Sequence, residues 1–175
     1  MKKIITLLLV VSASIANAQA YKGKGDIKAQ VGANIQSGGT GIFVSGDFGV
    51  GENMSVGFSS NYLLSANNTY LSYNTTTLAL EENKPEFIDR IDVKARFNVN
   101  LGSVIGLDEK MDVYPGLDLG IRNFGTHVGF RYFFSDGFGV FGEAGIPIAK
   151  YSKNIDGFDY YNNQFTFNVG ASFNL

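Results

Sequence analysis

The sequence predicts an all-β fold: an eight-stranded antiparallel up-and-down transmembrane β-barrel. Three observations carry this. Stretch after stretch alternates apolar residues with polar residues or glycine, the period of a strand whose two faces see different surroundings. Glycine is plentiful at 22 residues, aromatics reach 14%, and proline is rare at 3, a composition of strands and turns rather than helices. Beyond residue 18 no apolar run approaches the roughly 20 residues of a membrane helix, whereas a barrel strand needs only about 9–11 alternating residues.

The N-terminus reads as an export signal. Lys2 and Lys3 precede an apolar run from Ile4 to Val11, followed by small residues and Ala16-Asn17-Ala18. A positive start, a short apolar run and an A-x-A site make a cleavable signal peptide, and the run is too short for an anchor helix. Residues 1–18 are therefore expected to be removed after Ala18, leaving 19–175 as one barrel domain with Gln19 first. The chain has no Cys. It uses no disulfide, no thiol nucleophile and no thiolate metal ligand, and no cysteine near the cleavage site can carry a lipid. The formal charge of -2 gives no basic surface for nucleic acid.

The strands follow in order. The first sets Ala29, Val31, Ala33 and Ile35 against Lys28, Gln30, Gly32 and Asn34. The second carries Ile42, Val44, Phe48 and Val50, and the third Met54, Val56, Phe58 and Tyr62. The fourth sets Ile91, Val93, Ala95, Phe97, Val99 and Leu101 against Arg90, Asp92, Lys94, Arg96, Asn98 and Asn100. The fifth sets Val113, Leu117, Leu119 and Ile121 against Asp112, Gly116, Asp118 and Arg122. The sixth sets Val128, Phe130, Tyr132 and Phe134 against His127, Gly129 and Arg131. The seventh sets Phe138, Val140, Ala144 and Ile146 against Phe141, Glu143 and Gly145. The eighth is the most regular, with Phe165, Phe167, Val169, Ala171, Phe173 and Leu175 on one face and Thr166, Asn168, Gly170, Ser172 and Asn174 on the other.

Turns must keep apolar residues beside apolar ones, because a one-residue slip exchanges the faces. A turn at Gly38-Gly39 is expected to place Ile35 opposite Ile42, Gly51-Glu52-Asn53 to place Val50 opposite Met54, and Ser135-Asp136-Gly137 to place Phe134 opposite Phe138. The face with mixed charges also carries many glycines and the single large groups Phe43, Tyr114, Phe133 and Phe141. A narrow eight-stranded lumen needs that mixture of absent and bulky side chains. The apolar face is thus assigned to lipid and the polar face to the lumen; a soluble lipocalin-like barrel is the alternative. With eight strands both termini share the periplasmic side. The turns 51–53, 102–110 and 135–137 lie there too, the second long for a periplasmic turn. The outer loops are short at 37–40 and 123–126, and long at 65–86 and 149–163.

The stretches Asp47–Phe58 (DFGVGENMSVGF), Val113–Arg122 (VYPGLDLGIR) and Val128–Gly145 (VGFRYFFSDGFGVFGEAG), with the C-terminal strand, resemble the small outer-membrane barrels of the OmpX and OmpA-barrel type. The chain looks most like the uncharacterised outer-membrane β-barrel proteins among them. The likeness spans nearly the whole expected mature chain and is one of pattern. It implies the outer membrane of a Gram-negative-type bacterium, contact with outer-membrane lipid, and assembly by the barrel-assembly machinery through the C-terminal strand. Such barrels usually end in Phe; this one ends in Leu175, with Phe173 two residues earlier.

Chemistry is sparse. The single His, His127, falls on the lumenal face, where a hydrogen-bonding role is expected over that of a base, which needs a nearby nucleophile and orienting group. Gly25-Asp26 and Ser37-Gly38-Gly39 lack the strand–loop–helix context of a phosphate loop. Asp156 and Asp159 lack the ligand ladder of a calcium loop, and the sequence calls for no metal or cofactor. The main constellation is lumenal: Asp92, Lys94, Arg96, Asp112, Asp118, Arg122, Arg131 and Glu143. It reads either as an ion conduit or as a salt-bridged plug. The plug is favoured, since eight strands leave a lumen that side chains fill and charges there must pair. Arg131 is expected beside Glu143, directly or diagonally, with Asp118 within reach. Tyr70, Tyr73, Tyr160 and Tyr161 make the long outer loops amphipathic, suited to a surface ligand or a host or cell partner. The expectation is a non-enzymatic barrel with a structural or surface-interaction role. The alternatives are a porin-like transporter for small or hydrophobic molecules and, further off, a lipid-modifying enzyme.

Overall fold

The computed structural model describes residues 19–66, 70–74, 78–151 and 158–175. The expected signal peptide, 1–18, lies outside the described residues. In chain order the elements are β1 (Ile27–Gln36), β2 (Gly39–Gly49), β3 (Met54–Ala66), β4 (Tyr70–Asn74), β5 (Ala79–Asn83), the helical turn α1 (Phe87–Arg90), β6 (Ile91–Val99), β7 (Met111–Gly120), β8 (Asn123–Ser135), β9 (Phe138–Lys150) and β10 (Thr166–Asn174).

Eight strands form a closed antiparallel barrel in which every neighbour in space is the next barrel strand in sequence, and β10 returns to β1. That seam runs from Lys28 opposite Asn174 to Gln36 opposite Thr166. Closure leaves the barrel no open strand edge. The remaining strands, β4 and β5, pair only with each other, from Tyr70 opposite Asn83 to Asn74 opposite Ala79. This hairpin occupies much of the expected loop 65–86, whose first residues belong instead to the long strand β3. The turn α1 closes the excursion: the Glu86 backbone N–H donates to Asp89 Oδ2 at 2.8 Å.

The faces follow the alternation. Val31, Val44, Phe58, Leu117, Val128, Phe130, Val140 and Val169 are all exposed on the outer wall, while Lys28, Asp47, Asp92, Arg96, Asp112, Arg131 and Glu143 are buried inside. Phe43, Tyr114, Phe133 and Phe141 are buried in the lumen, as the polar-face parity requires.

Three details of the turns differ from expectation. Ile35 lies opposite Thr40, and Ala33 opposite Ile42, because the two-residue turn is Ser37-Gly38 and Gly39 already pairs with Gln36. Gly38 supplies the left-handed residue at φ 76°, one position earlier than a Gly38-Gly39 turn would need. At the β8–β9 turn, Ser135 lies opposite Phe138, with a bulge between Phe133 and Ser135. The extra residue of a bulge is Phe134, which stays outside while Phe133 stays in. Its ring still stacks on Phe138 with centroids 6.1 Å apart. Lastly, 123–126 is strand rather than loop: β8 starts at Asn123, so the link from β7 is only Ile121-Arg122.

Candidate functional site

The lumen is the candidate site, and glycines shape it. Tyr114 on β7 stands opposite Gly129 on β8, where an added Cβ would lie 2.1 Å from the tyrosine Cζ. His127 stands opposite Gly116, whose Cβ would lie 2.4 Å from the imidazole Cε1. Each large lumenal ring therefore occupies the space that the facing strand leaves empty, as close packing of a narrow barrel demands.

Tyr114 sits between two arginines. The Arg131 guanidinium carbon lies 4.0 Å from its ring centroid and that of Arg96 lies 5.9 Å away, both within cation–π reach. The Tyr114 hydroxyl accepts a hydrogen bond from Gln30 Nε2 at 3.2 Å. Phe43 and Phe141 fill the neighbouring space, with ring centroids 5.5 Å apart.

Two ion-pair groups meet at Asp47. Arg131 places Nε 3.3 Å from Asp112 Oδ2 and Nη1 4.0 Å from Asp47 Oδ2, and donates through Nη2 to Asn100 Oδ1 at 2.9 Å. Arg96 places Nη2 2.6 Å from Glu143 Oε2 and Nε 3.4 Å from Asp47 Oδ1. His127 completes the group with Nδ1 3.0 Å from Asp118 Oδ1 and Nε2 2.8 Å from Asn98 Oδ1. Toward one mouth Lys94 pairs with Asp92 at 3.6 Å; toward the other Lys28 pairs with Asp26. Removing such charges from water costs several kcal/mol each, which pairing and hydrogen bonds must offset.

Both mouths are covered. At the end that holds the termini, residues 19–26 cross the opening. Ala20 is buried against Phe133, and its N–H donates to the Glu109 carbonyl at 2.7 Å. The Tyr21 hydroxyl reaches the Gly51 and Met54 carbonyls at 3.0 and 2.6 Å. Burial, with Asp26 nearby, pushes the Tyr21 phenol up. Lys22 lies 3.4 Å from Asp136. At the opposite mouth Tyr161, Asn162 and Asn163 are buried, and Asn123 Nδ2 donates to the Asn162 carbonyl at 3.0 Å and to Asn163 Oδ1 at 3.1 Å.

Of the eight charged residues expected in the lumen, Asp92, Arg96, Asp112, Asp118, Arg131 and Glu143 are buried there and Lys94 is nearly so, its side chain 14% exposed. Arg122 is half-buried at the rim, where its charge acts on Asp92. It sits in the β7–β8 link and bonds the Ile88 carbonyl and, at 3.4 Å, the Ile91 carbonyl, fastening α1 to the rim. The expected neighbourhood of Arg131 and Glu143 holds in register, since Glu143 faces Gly129, two residues from Arg131. The partners differ: Arg131 turns to Asp112 and Asp47, and Glu143 to Arg96. Neighbouring strands set which residues are adjacent, but long side chains in a narrow lumen reach beyond their neighbours. Asp47, Lys28 and Asp26 are members that the pattern reading did not place in the network, and His127 belongs to it as well. Asp47 could have been found by its parity with Phe43 and Ser45. Among the described residues no group of three or more His, Cys, Asp or Glu is arranged to hold a metal. Of the loop residues singled out, Asp156 lies outside the described residues.

The fold and its filling define a closed up-and-down β-barrel with a polar lumen. The chain belongs to the family of unknown function DUF6646, which residues 11–175 match. No curated protein matches it. Among solved structures it is similar to a designed protein from "De novo design of transmembrane beta-barrels", at 9% identity and TM-score 0.55 over 88% of this chain and 98% of that one. At that identity the likeness is one of fold.

Proposed function

We propose that the protein is a non-enzymatic integral outer-membrane barrel of the OmpX and OmpA-barrel type, whose lumen is a salt-bridged plug and whose work is done at its outer rim. The observation that carries this is the inversion of its faces. Apolar side chains cover the outside from strand to strand, while Arg131, Lys28 and Asp47 are at most 1% exposed inside. A soluble barrel would bury the first set, and so continuous an apolar surface exceeds what a monomer leaves in water. An aromatic row supports the same reading. Tyr132, Phe134, Phe138 and Phe173 follow one another on the outer wall at the termini end, with centroids 5.1, 6.1 and 5.7 Å apart, the place of an interfacial girdle. Outer-membrane lipid and the assembly machinery are then its constant partners, and the surfaces beyond β3 and β9 are where a surface ligand or cell partner binds. The location of His127, buried with Asp118 and Asn98, supports a structural rather than a catalytic role.

Membrane fractionation joined to planar-bilayer recording tests this. The expected result is a heat-modifiable protein that needs detergent for release and carries no steady current. Release in soluble form revives the lipocalin-like barrel, and a stable open current refutes the plug.

One observation favours a second reading, a route for hydrophobic molecules through the wall. The β6–β7 ladder registers from Lys94 opposite Gly120 to Asn98 opposite Gly116, with single bonds from the Ile121 N–H to the Val93 carbonyl and the Leu101 N–H to the Val113 carbonyl beyond its ends, whereas β8–β9 runs from Asn123 opposite Lys150 to Ser135 opposite Phe138. An apolar groove lined by Ala95, Phe97, Leu117, Leu119 and Phe124 lies over that short seam. A disulfide joining Ala95→Cys and Leu119→Cys, which face each other, would abolish uptake of a hydrophobic solute on this reading and leave the plug unaffected.

A further inference from the structure

The long turn between β6 and β7 has a divided surface. Its later residues meet the N-terminal segment: the Glu109 carbonyl accepts the Ala20 N–H, and Leu107, Asp108 and Glu109 line a small cavity with Gln19 and Tyr21. Gly102 and Ser103 line the same cavity, but the two apolar residues between them and Gly106 do not. Val104 is 60% exposed and Ile105 57%, and neither borders that cavity. The backbone holds this division. Ile105 N–H donates to the Leu101 carbonyl at 3.0 Å and Leu107 N–H to the Gly102 carbonyl at 2.9 Å, one turn of helix-like chain. Gly106 then reverses it at φ 71°, a left-handed conformation that favours glycine. Ser103 Oγ is tied to Asn53 Oδ1 at 3.0 Å, so the turn lies against its neighbour.

The position of this pair matters. The aromatic row at the termini end covers β8, β9 and β10. On the β3–β6–β7 side the same end carries the exposed Met54 and the half-buried Leu101 and Met111, while the outward rings of β3 and β6, Phe58 and Phe97, stand further along their strands from that end. Val104 and Ile105 follow β6 and Leu101 in the chain and stand exposed beyond the last strand residue, Val99, on this flank.

We propose that the turn 102–110 is a membrane anchor, with Val104 and Ile105 seated in the periplasmic-side phospholipid interface as a substitute for the aromatic girdle on that flank. This rests on the membrane reading above. Apolar side chains at the headgroup level hold a barrel at a fixed depth. It also accounts for a periplasmic turn longer than the barrel needs.

The chain has no Trp, so one introduced residue is a clean reporter. Ile105→Trp and, separately, Phe138→Trp are folded into vesicles with and without brominated phospholipid, and folding is checked by the heat-modifiable gel shift. The expected result is blue-shifted emission and a loss of intensity with bromine for both. If Phe138→Trp is quenched while Ile105→Trp emits at the wavelength of water-exposed Trp, the anchor is wrong and the membrane reading stands. If Phe138→Trp is not quenched, the membrane reading itself fails. Emission of Ile105→Trp that is insensitive to bromine and shifts blue only on adding periplasmic extract assigns the pair to a protein partner and overturns the anchor. Should Ile105→Trp fail to fold, Val104→Trp carries the same test.

Discussion

The guanidinium of Arg131 lies 4.0 Å from the centre of the Tyr114 ring, and both side chains are 0% exposed. The pair fills the middle of the barrel, and its carboxylate partners Asp112 and Asp47 come from β7 and β2. Replacing Arg131 with Met keeps much of the volume but leaves Asp112 without its cation. Breaking a buried pair in this way costs about 3–5 kcal/mol. Arg131→Lys should recover only part of the loss, since one ammonium cannot serve Asp112, Asp47 and Asn100 from a planar fork. Urea unfolding in lipid vesicles measures both. A loss below about 1 kcal/mol for Arg131→Met, the scale of a surface pair, would mean the network does not hold the lumen together.

Gly129 tests the same centre by volume. A methyl there meets the Tyr114 ring at 2.1 Å, and that ring is hemmed in by Arg131. Gly129→Ala should cost about 1–3 kcal/mol through overpacking. In a Tyr114→Leu background the added methyl should cost less than it does alone. Equal costs in the two backgrounds would show that Gly129 matters for its backbone and not for the ring.

The strands were legible because an apolar outer wall and a polar lumen press opposite demands on alternate residues, and that alternation is written into segments such as Phe165–Leu175. The filling was legible by parity, as Phe43, Tyr114, Phe133 and Phe141 show. Register at the turns was less so. Which glycine of Gly38-Gly39 turns, and whether Phe134 bulges, depends on backbone angles that two adjacent candidates can equally supply. The hairpin β4–β5 escaped because its strands are only five residues long, mix apolar and polar residues without a clean alternation, and lie outside the barrel. Partners within the lumen escaped for a different reason. Arg96 has acceptors on β2 and β9, and only the closed barrel brings those strands face to face across the lumen.

The strap over the termini end should be dispensable for closure. The single Tyr21 hydroxyl proton is shared between two carbonyls within reach, so Tyr21→Phe should cost about 1 kcal/mol, the usual worth of one such bond. Replacing residues 19–24 by a Gly-Ser segment of equal length should leave bilayers electrically silent, because Arg131 and Tyr114 remain beneath. Stepwise current from the strapless barrel would place the seal in the strap instead of the central layer.

The assignment of faces is tested at two consecutive residues of β10. Val169 is 42% exposed and Asn168 3%. Asn168 accepts from Asn34 Nδ2 at 2.8 Å and lies opposite Glu143; Val169 points outward beside Ala33. Lysine at 169 should cost about 2–4 kcal/mol if the position lies at the bilayer midplane, since a charge there meets hydrocarbon. Lysine at 168 meets Glu143 and the amide of Asn34, so it keeps the barrel folded and is penalised mainly for its size, about 1–3 kcal/mol. The two are separated by bilayer dependence. The cost of Val169→Lys should fall in detergent micelles, where water reaches the ammonium more easily, while that of Asn168→Lys should not change. Heat-modifiable gel shifts and urea titrations in both media supply the comparison. If Val169→Lys folds as readily as the parent in bilayers while Asn168→Lys carries the medium-dependent loss, the polar face meets lipid and the barrel has been assigned inside out.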